Sequence, residues 1–320
     1  MGDRPNMQTS PPLVTIVTPC LNMESYIAKT IESVLSQDYP QIEYILVDGG
    51  STDRTTEVIC AYLAKNPERM RLIVEPDGGV AEALEKGLAA AKGEIFAYIN
   101  ADDTYFPGAI RTAVNWLQAQ PEVCGVYGNA YWIDDNGERI DTYPTEPFDP
   151  GTLGEHCYIC QPTCFLRTEP LREAGGFNTA YQVAFDYELW LRLAKTEKLL
   201  RIDALLANSR MHRENKTLRQ RTEGFDEACR ALRRYQGYVP FRWAHSYAAF
   251  LLDQRDQFFE PLRPSFTKFF FSLIVGTLLN WPAPVRFWKE WYRVMSLGAF
   301  VRRWNDTWFG RRLGMPRKHP

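Results

Sequence analysis

Two rhythms of apolar and polar positions alternate over the first 130 residues. Residues 13–17 (Leu-Val-Thr-Ile-Val) form a short β-branched run that stops at Pro19, after which Ile27, Ile31, Val34 and Leu35 recur at helical spacing. Residues 42–47 are a second apolar run, ending at Asp48-Gly49-Gly50. Ser51 or Thr52 can cap the helix that carries Val58, Ile59, Tyr62 and Leu63. Strands are expected again over 71–74, 95–99 and 123–127, with helices over 80–91 and 106–119 between them. Further on, Asp134-Asp135-Asn136-Gly137 marks a hairpin turn, 163–167 reads as strand and 186–195 as amphipathic helix. Residues 207–210 are strand-like and 218–235 form a basic helix.

Near-continuous apolar strands separated by amphipathic helices predict a buried, mostly parallel sheet with helices on both faces, an α/β fold. In such sheets the ligand crevice lies beyond the carboxyl ends of the strands. Asn22, Asp48, Asp53, Asp77, Asp102 and Asp103 all follow predicted strand ends. The pattern divides the chain into a flexible start (1–12), an α/β domain (13–217) and a mainly helical region (218–320).

Two nucleotide-binding readings fail at the loop after the first strand. It reads Thr18-Pro19-Cys20-Leu21-Asn22, without the glycines that let a backbone approach a pyrophosphate, and no P-loop pattern occurs. Carboxylates at several strand ends suit an anionic ligand only with a cation between them. Ala101-Asp102-Asp103 is a fitting Mg²⁺ or Mn²⁺ site, because hard cations take oxygen ligands and keep substrate phosphates in their shell. The competing reading is an Asp pair capping the helix near Phe106. His156-Cys157-x-x-Cys160-x-x-x-Cys164 has half the pattern of a zinc site, but no second ligand pair follows, so small buried thiols are the better account.

Charge changes the picture of the C-terminal third. The net charge is −2, yet residues 201–320 hold 22 Lys/Arg against 10 Asp/Glu, and the first 200 hold 15 against 29. Aromatics crowd the same basic stretch, among them residues 269–271, Trp281, Trp288, Trp291, Trp304 and Trp308. This region can be a helical core, a membrane-surface anchor or a nucleic-acid platform; nucleic acid ranks last because no compact motif accompanies the charge. An apolar stretch over 269–279, broken by Ser272, Gly276 and Thr277, is too short to span a bilayer. Seven scattered cysteines and a polar, Pro-rich start predict a cytoplasmic protein, peripheral on the membrane if the tail is an anchor.

The motifs together resemble glycosyltransferase family 2, with the GT-A nucleotide-sugar-binding fold. The resemblance runs over residues 12–217. Its pieces are Val14 through Asn22, Ile45 through Asp53, Asp77 through Gly87, Gly93 through Asp103, Asp186 through Leu193, and Arg210-Met211-His212. It implies that Pro19 and Asn22 line a nucleotide pocket and that Asp48 accepts a hydrogen bond from the base, favouring a UDP- or dTDP-type donor. Asp53 would hold its loop or the ribose side, Asp77 and Gly78 would sit by base and ribose, and Asp102 would contact the ribose. Asp103 would bind the metal, and His212 would reach the metal or the diphosphate. The family often has Asp and Asn at the positions of Glu82 and Glu85.

Asp186 is the candidate base of an inverting displacement, taking the acceptor hydroxyl's proton on the face opposite the leaving diphosphate. Glu188 could exchange roles with it, but positions i and i+2 do not share a helix face. The implied activity is metal-dependent, inverting transfer of a sugar to a hydroxyl of a glycan or lipid-linked acceptor, with an anionic membrane surface as a further partner. The alternatives are a nucleotidyltransferase and an inactive sugar-nucleotide-binding scaffold.

Overall fold

The computed structural model describes residues 10–212, 215–254 and 265–295. Residues 1–9 of the expected flexible start, and Arg302, Arg303, Trp304 and Trp308 of the tail, lie outside the described residues. The chain forms two compact units. One comprises Met1–Tyr131, Cys160–Phe177 and Lys198–Arg210, the other Trp132–Ile159, Asn178–Glu197 and Met211–Pro320.

The first unit is a sheet with flanking helices. Its strands are β1 (Val14–Cys20), β2 (Ile42–Asp48), β3 (Met70–Val74), β4 (Ile95–Tyr98), β5 (Thr104–Tyr105), β6 (Gly125–Ile133), β8 (Phe165–Arg167) and β9 (Leu199–Arg210), in the order β3-β2-β1-β4-β8-β6-β9-β5. The first four in that order are parallel; β8 runs antiparallel to β4 and β6, as β5 does to β9. Cys20 is level with Asp48, and Asp48 with Val74, so the loops after β1, β2 and β3 leave from one edge.

All seven residues of β1 are buried, as expected of a strand covered on both faces. Helices α1 (Ile27–Leu35), α2 (Thr55–Leu63), α3 (Val80–Ala90), α4 (Ala109–Ala119) and α6 (Thr168–Glu173) accompany the sheet. Ile16, Leu46, Ile95 and Ala97 of the sheet join Ile27, Ile31, Ile110 and Val114 of α1 and α4 in one apolar core. Two expectations move. Ser51 and Thr52 do not cap α2, which starts only at Thr55, because their side chains are engaged with Asp48 and Asn22. The Asp102-Asp103 pair does not cap α4, which starts three residues beyond Phe106, after a left-handed Gly108.

The second unit holds β7 (Arg139–Thr142), reached through the Asp134–Gly137 turn, with α5 (Pro150–Glu155) and α7 (Phe185–Leu193). The basic helix expected over 218–235 is two helices, α8 (Lys216–Arg219) and α9 (Arg221–Gln236), because Gln220 leaves helical geometry at ψ 44°. Then follow α10 (Phe241–Asp253), α11 (Phe266–Leu279) and α12 (Val285–Met295). Phe269 and Trp291 stack at 4.6 Å, and the Trp291 indole N–H donates to the Phe269 carbonyl. Gly276 lets α12 approach α11, since a Cβ there would lie 1.9 Å from the Phe287 ring. Ser272 and Thr277 donate to carbonyls one turn back in the same helix, so their hydroxyls are satisfied within the apolar run. Among the described residues no helix is long and apolar enough to cross a membrane.

Candidate active site

In the first unit, the loops after β1 and β2 are built as one object. Asn22 takes φ 55°, a left-handed conformation that Asn tolerates better than most residues. Its Oδ1 accepts from the Thr52 amide at 2.8 Å, while its own amide donates to Ser51 Oγ at 2.9 Å. Asp53 completes the tie, accepting from the Glu24 and Thr55 amides. Burial pushes the Asp53 carboxyl up, but the bonds from Thr55 and Glu24 outweigh it and hold the group below its ordinary value. Asp48 is fully buried at the end of β2. Its Oδ1 accepts from the Gly50 and Ser51 amides and the Ser51 hydroxyl, and its Oδ2 from the Thr56 hydroxyl. Pro19 is buried within β1, level with Val47.

Asp77 leaves the end of β3 and lies against the β2 loop; a Cβ on Gly49 would meet its Oδ2 at 2.7 Å. Burial raises the Asp77 carboxyl from its ordinary value, partly offset by the Gly79 amide that it accepts. Gly78 is exposed, and its amide donates to Glu82 Oε2 at 2.9 Å. Glu85 accepts from the Phe177 amide. Both glutamates therefore shape backbone turns of this unit.

The acid pair follows β4 after Ile99, Asn100 and Ala101. Asp102 and Asp103 are 8% and 3% exposed. Asp103 Oδ1 accepts from the Arg210 amide at 2.8 Å, and its Oδ2 faces Asn100 Nδ2 at 3.4 Å. The loop itself is pinned twice more. Arg210 Nε donates to the Asp102 carbonyl, and the Thr30 hydroxyl lies 2.8 Å from the carbonyls of both Ala101 and Asp103. Gln161 reaches in from behind, donating to the Tyr98 carbonyl and facing Asn100. Burial, then the charge of Asp102, drives the Asp103 carboxyl well above its ordinary value. A buried carboxylate pair of this kind is a natural seat for a cation.

In the second unit, Asp186 opens α7 and is partly exposed, with Oδ1 accepting from the Tyr187 amide. Desolvation raises its carboxyl to about 6 despite that bond, and the negative Glu227 adds to the rise. Glu188 is fully buried and committed elsewhere: Arg192 grips both oxygens, at 3.1 and 2.9 Å, and the Tyr235 hydroxyl donates to Oε1. Glu227, from α9, accepts from the amides of Gln182, Val183 and Ala184 at 2.7–2.8 Å, gathering the three residues that precede α7. His212 is buried, and its carbonyl accepts from the Asn215 amide.

Sequence reading missed the residues that orient the carboxylates. Arg210 was visible only as part of the Arg210-Met211-His212 match, and Thr30 and Glu227 carried no signal of their own.

The strand order and the acid pair after β4 define a nucleotide-sugar-binding fold of the GT-A class. Residues 15–175 match glycosyl transferase family 2, and the chain belongs to that family of glycosyltransferases. Hyaluronan synthase of Pasteurella multocida is 26% identical over 215 residues, covering 65% of this chain and 21% of that one. The chain spans 21% to 65% of the length of the curated relatives it matches. Two solved structures share the fold. Staphylococcus aureus TarS (residues 1–349) with UDP-GlcNAc has a TM-score of 0.59 at 15% identity, covering 82% of this chain and 79% of its own. The mannosyltransferase PcManGT of Pyrobaculum calidifontis, with GDP-Man and Mn²⁺, has 0.56 at 19% identity, covering 93% and 89%.

Proposed function

We propose that the protein transfers a sugar, with inversion, from a UDP- or dTDP-type nucleotide sugar to a hydroxyl of a glycan or lipid-linked acceptor, at the cytoplasmic face of a membrane. The observation that carries this reading is the acid pair after β4. Asp103 is buried, held by the Arg210 amide and raised by burial and by Asp102, beside loops that supply Asn22, Asp53, Asp77 and Gly78. TarS, bound to UDP-GlcNAc, agrees with that donor type, and PcManGT, bound to GDP-Man and Mn²⁺, supports a nucleotide-sugar donor with a metal more generally.

A divalent cation, Mn²⁺ or Mg²⁺, fits the donor chemistry of this pair. Two hard carboxylates, one whose charged form is disfavoured by burial and by its neighbour unless a cation offsets them, suit an ion whose remaining ligands come from water and a diphosphate. Among the described residues no three His, Cys, Asp or Glu side chains cluster as a protein-only cage, which this shared shell does not need. Asp103 would hold the ion, with Asp102 towards the ribose. When bound, such an ion neutralises charge building on the leaving diphosphate.

The chain's own residues do the rest. Pro19, Asn22 and the Asp48 loop frame the base, and Asp77 and Gly78 its ribose side. Asp186 takes the acceptor hydroxyl's proton as the new glycosidic bond forms. An oxygen nucleophile needs such a base near neutral pH, and a carboxyl raised to about 6 is well matched to the task. The commitment of Glu188 to Arg192 and Tyr235 favours Asp186 for the role. A nucleotidyltransferase would need basic residues for a triphosphate near β1, where the first is Lys29.

The test is titration of UDP and dTDP into Asp103→Ala and the unchanged protein, with and without Mn²⁺. Metal-dependent binding and turnover should both disappear in the variant while its melting transition persists. Unchanged turnover in excess chelator would overturn the metal assignment.

A further inference from the structure

Helix α12 carries three distinct sectors. At about 100° per residue, Val285, Trp288, Tyr292 and Met295 share one stripe, Arg286, Lys289 and Arg293 the next, and Phe287 and Trp291 a third. The third stripe is buried in the helical core, and the first two are exposed. Helix α11 repeats the division. Phe269, Ser272, Val275 and Gly276 face inward, while Phe266, Phe270, Ile274 and Leu278 recur every fourth residue on an exposed stripe, Leu278 at 68% exposure.

The two exposed stripes are one surface. The Trp288 indole N–H donates at 2.9 Å to the Thr277 hydroxyl, and Thr277 lies within the exposed sector of α11, between the directions of Phe266 and Phe270. Trp281 is also exposed, in the turn that joins the two helices. A patch of this many large side chains exceeds what scattered surface hydrophobics account for.

Charge identifies the occupant. Residues 265–295 contain a single acid, Glu290, and its carboxylate is turned inward to accept from the Phe241 amide. Arg286 lies over the Tyr238 ring at 4.0 Å, against the unit's own surface. Lys289 and Arg293 are exposed beside the apolar stripe. An apolar, aromatic band bordered by cations, whose own helices turn no acid outward and whose neighbouring Asp253 is paired with Lys268, matches the boundary between acyl chains and anionic headgroups. A second copy of the chain would bring the same cations against each other. We infer that the α11–α12 face seats the protein in the surface of an anionic bilayer, with Phe270, Ile274, Leu278, Trp288 and Tyr292 entering the headgroup boundary and Lys289 and Arg293 contacting lipid phosphates. This deepens the lipid-linked acceptor reading, without depending on the base or metal assignments.

The experiment is co-sedimentation of the full chain with vesicles of phosphatidylcholine and phosphatidylglycerol in equal parts, against phosphatidylcholine alone, at low salt and at roughly 0.5 M. Binding should require phosphatidylglycerol and weaken with salt. Lys289→Glu with Arg293→Glu should weaken it about 30-fold or more, from the loss of two surface cations. Ile274→Ser with Leu278→Ser should abolish pelleting at both salts. Both pairs are exposed, so melting transitions and donor turnover should stay unchanged, which separates failure here from failure of the catalytic reading. Vesicle binding indifferent to both pairs would overturn the proposal. So would a lipid-free dimer, read by light scattering, that Ile274→Ser with Leu278→Ser splits.

Discussion

Asp53 and Asp186 stand in similar places, at or just before the first turn of a helix, and their environments drive them in opposite directions. Asp53 accepts amides from Glu24 and Thr55, and its carboxyl is held below the ordinary range. Asp186 accepts the Tyr187 amide, lies in a desolvated setting near the negative Glu227, and rises to about 6. Residue type and position in the helix are nearly the same; the balance of donors against desolvation differs. A carboxylate saturated with donors builds a loop, whereas one starved of them keeps an affinity for protons that chemistry can use.

The largest expected effect comes from removing the proton acceptor. Asp186→Asn keeps the shape and should lower the transfer rate by roughly a hundredfold or more, with donor affinity unchanged in a binding titration. If Glu188→Gln is the inactive variant instead, the comparison rests on the wrong carboxylate.

The pH profile sharpens the contrast. With Asp186 near 6, kcat/KM should fall about tenfold per unit below that value. Glu227→Gln should move this limb to lower pH, since it removes a charge that raises Asp186, and should cost about tenfold in rate through the loosened amides of residues 182–184. A rate loss with an unmoved limb would mean that Glu227 is structural only.

Stability offers a smaller effect with a definite sign. The folded Asp186 value lies above the ordinary 3.8, so between about pH 4 and 6 the native state binds more protons than the unfolded state. Stability falls as pH rises through that window and stays lower above it. Asp186→Asn should thus be more stable than the parent at pH 8, by up to about 3 kcal/mol, and the gain should vanish below pH 4. Denaturant titrations at the two pH values read this directly. Asp53→Ala should do the reverse, losing about 1–2 kcal/mol at pH 7 through two unmet amides, while kcat at saturating donor stays within about threefold.

The strand ends were legible because buried parallel strands are written as unbroken apolar runs. β1 through β4 appear within a few residues of their expected bounds, which put the loops bearing Asp48, Asp77 and Asp102 in view. β5 was invisible, since two residues carry no period, yet it leaves Asp103 directly for the sheet. β9 is longer than the strand-like stretch read at 207–210; it begins at Leu199, where Arg201 and Asp203 break up the apolar run and hide it. The orienting partners were hidden for another reason. Thr30 and Asp103 are 73 residues apart, Asp103 and Arg210 are 107, and such pairs are set by topology rather than by local pattern. Glu227 lies beyond the stretch that matches the family, on a helix whose composition gives only a basic, amphipathic face.

Asn22 bears on which substitutions this lineage can accept. At φ 55° a β-branched or bulky residue would be strained, which leaves glycine, asparagine and aspartate as the inexpensive occupants. Glycine would keep the turn but forfeit the acceptor for Thr52, and aspartate would keep the acceptor while adding a negative charge where a nucleotide diphosphate is expected. The narrowest sequence variation in this loop should therefore fall at an exposed position, outside the core. A saturation library at Asn22 selected for turnover should return asparagine first, then glycine, and few others.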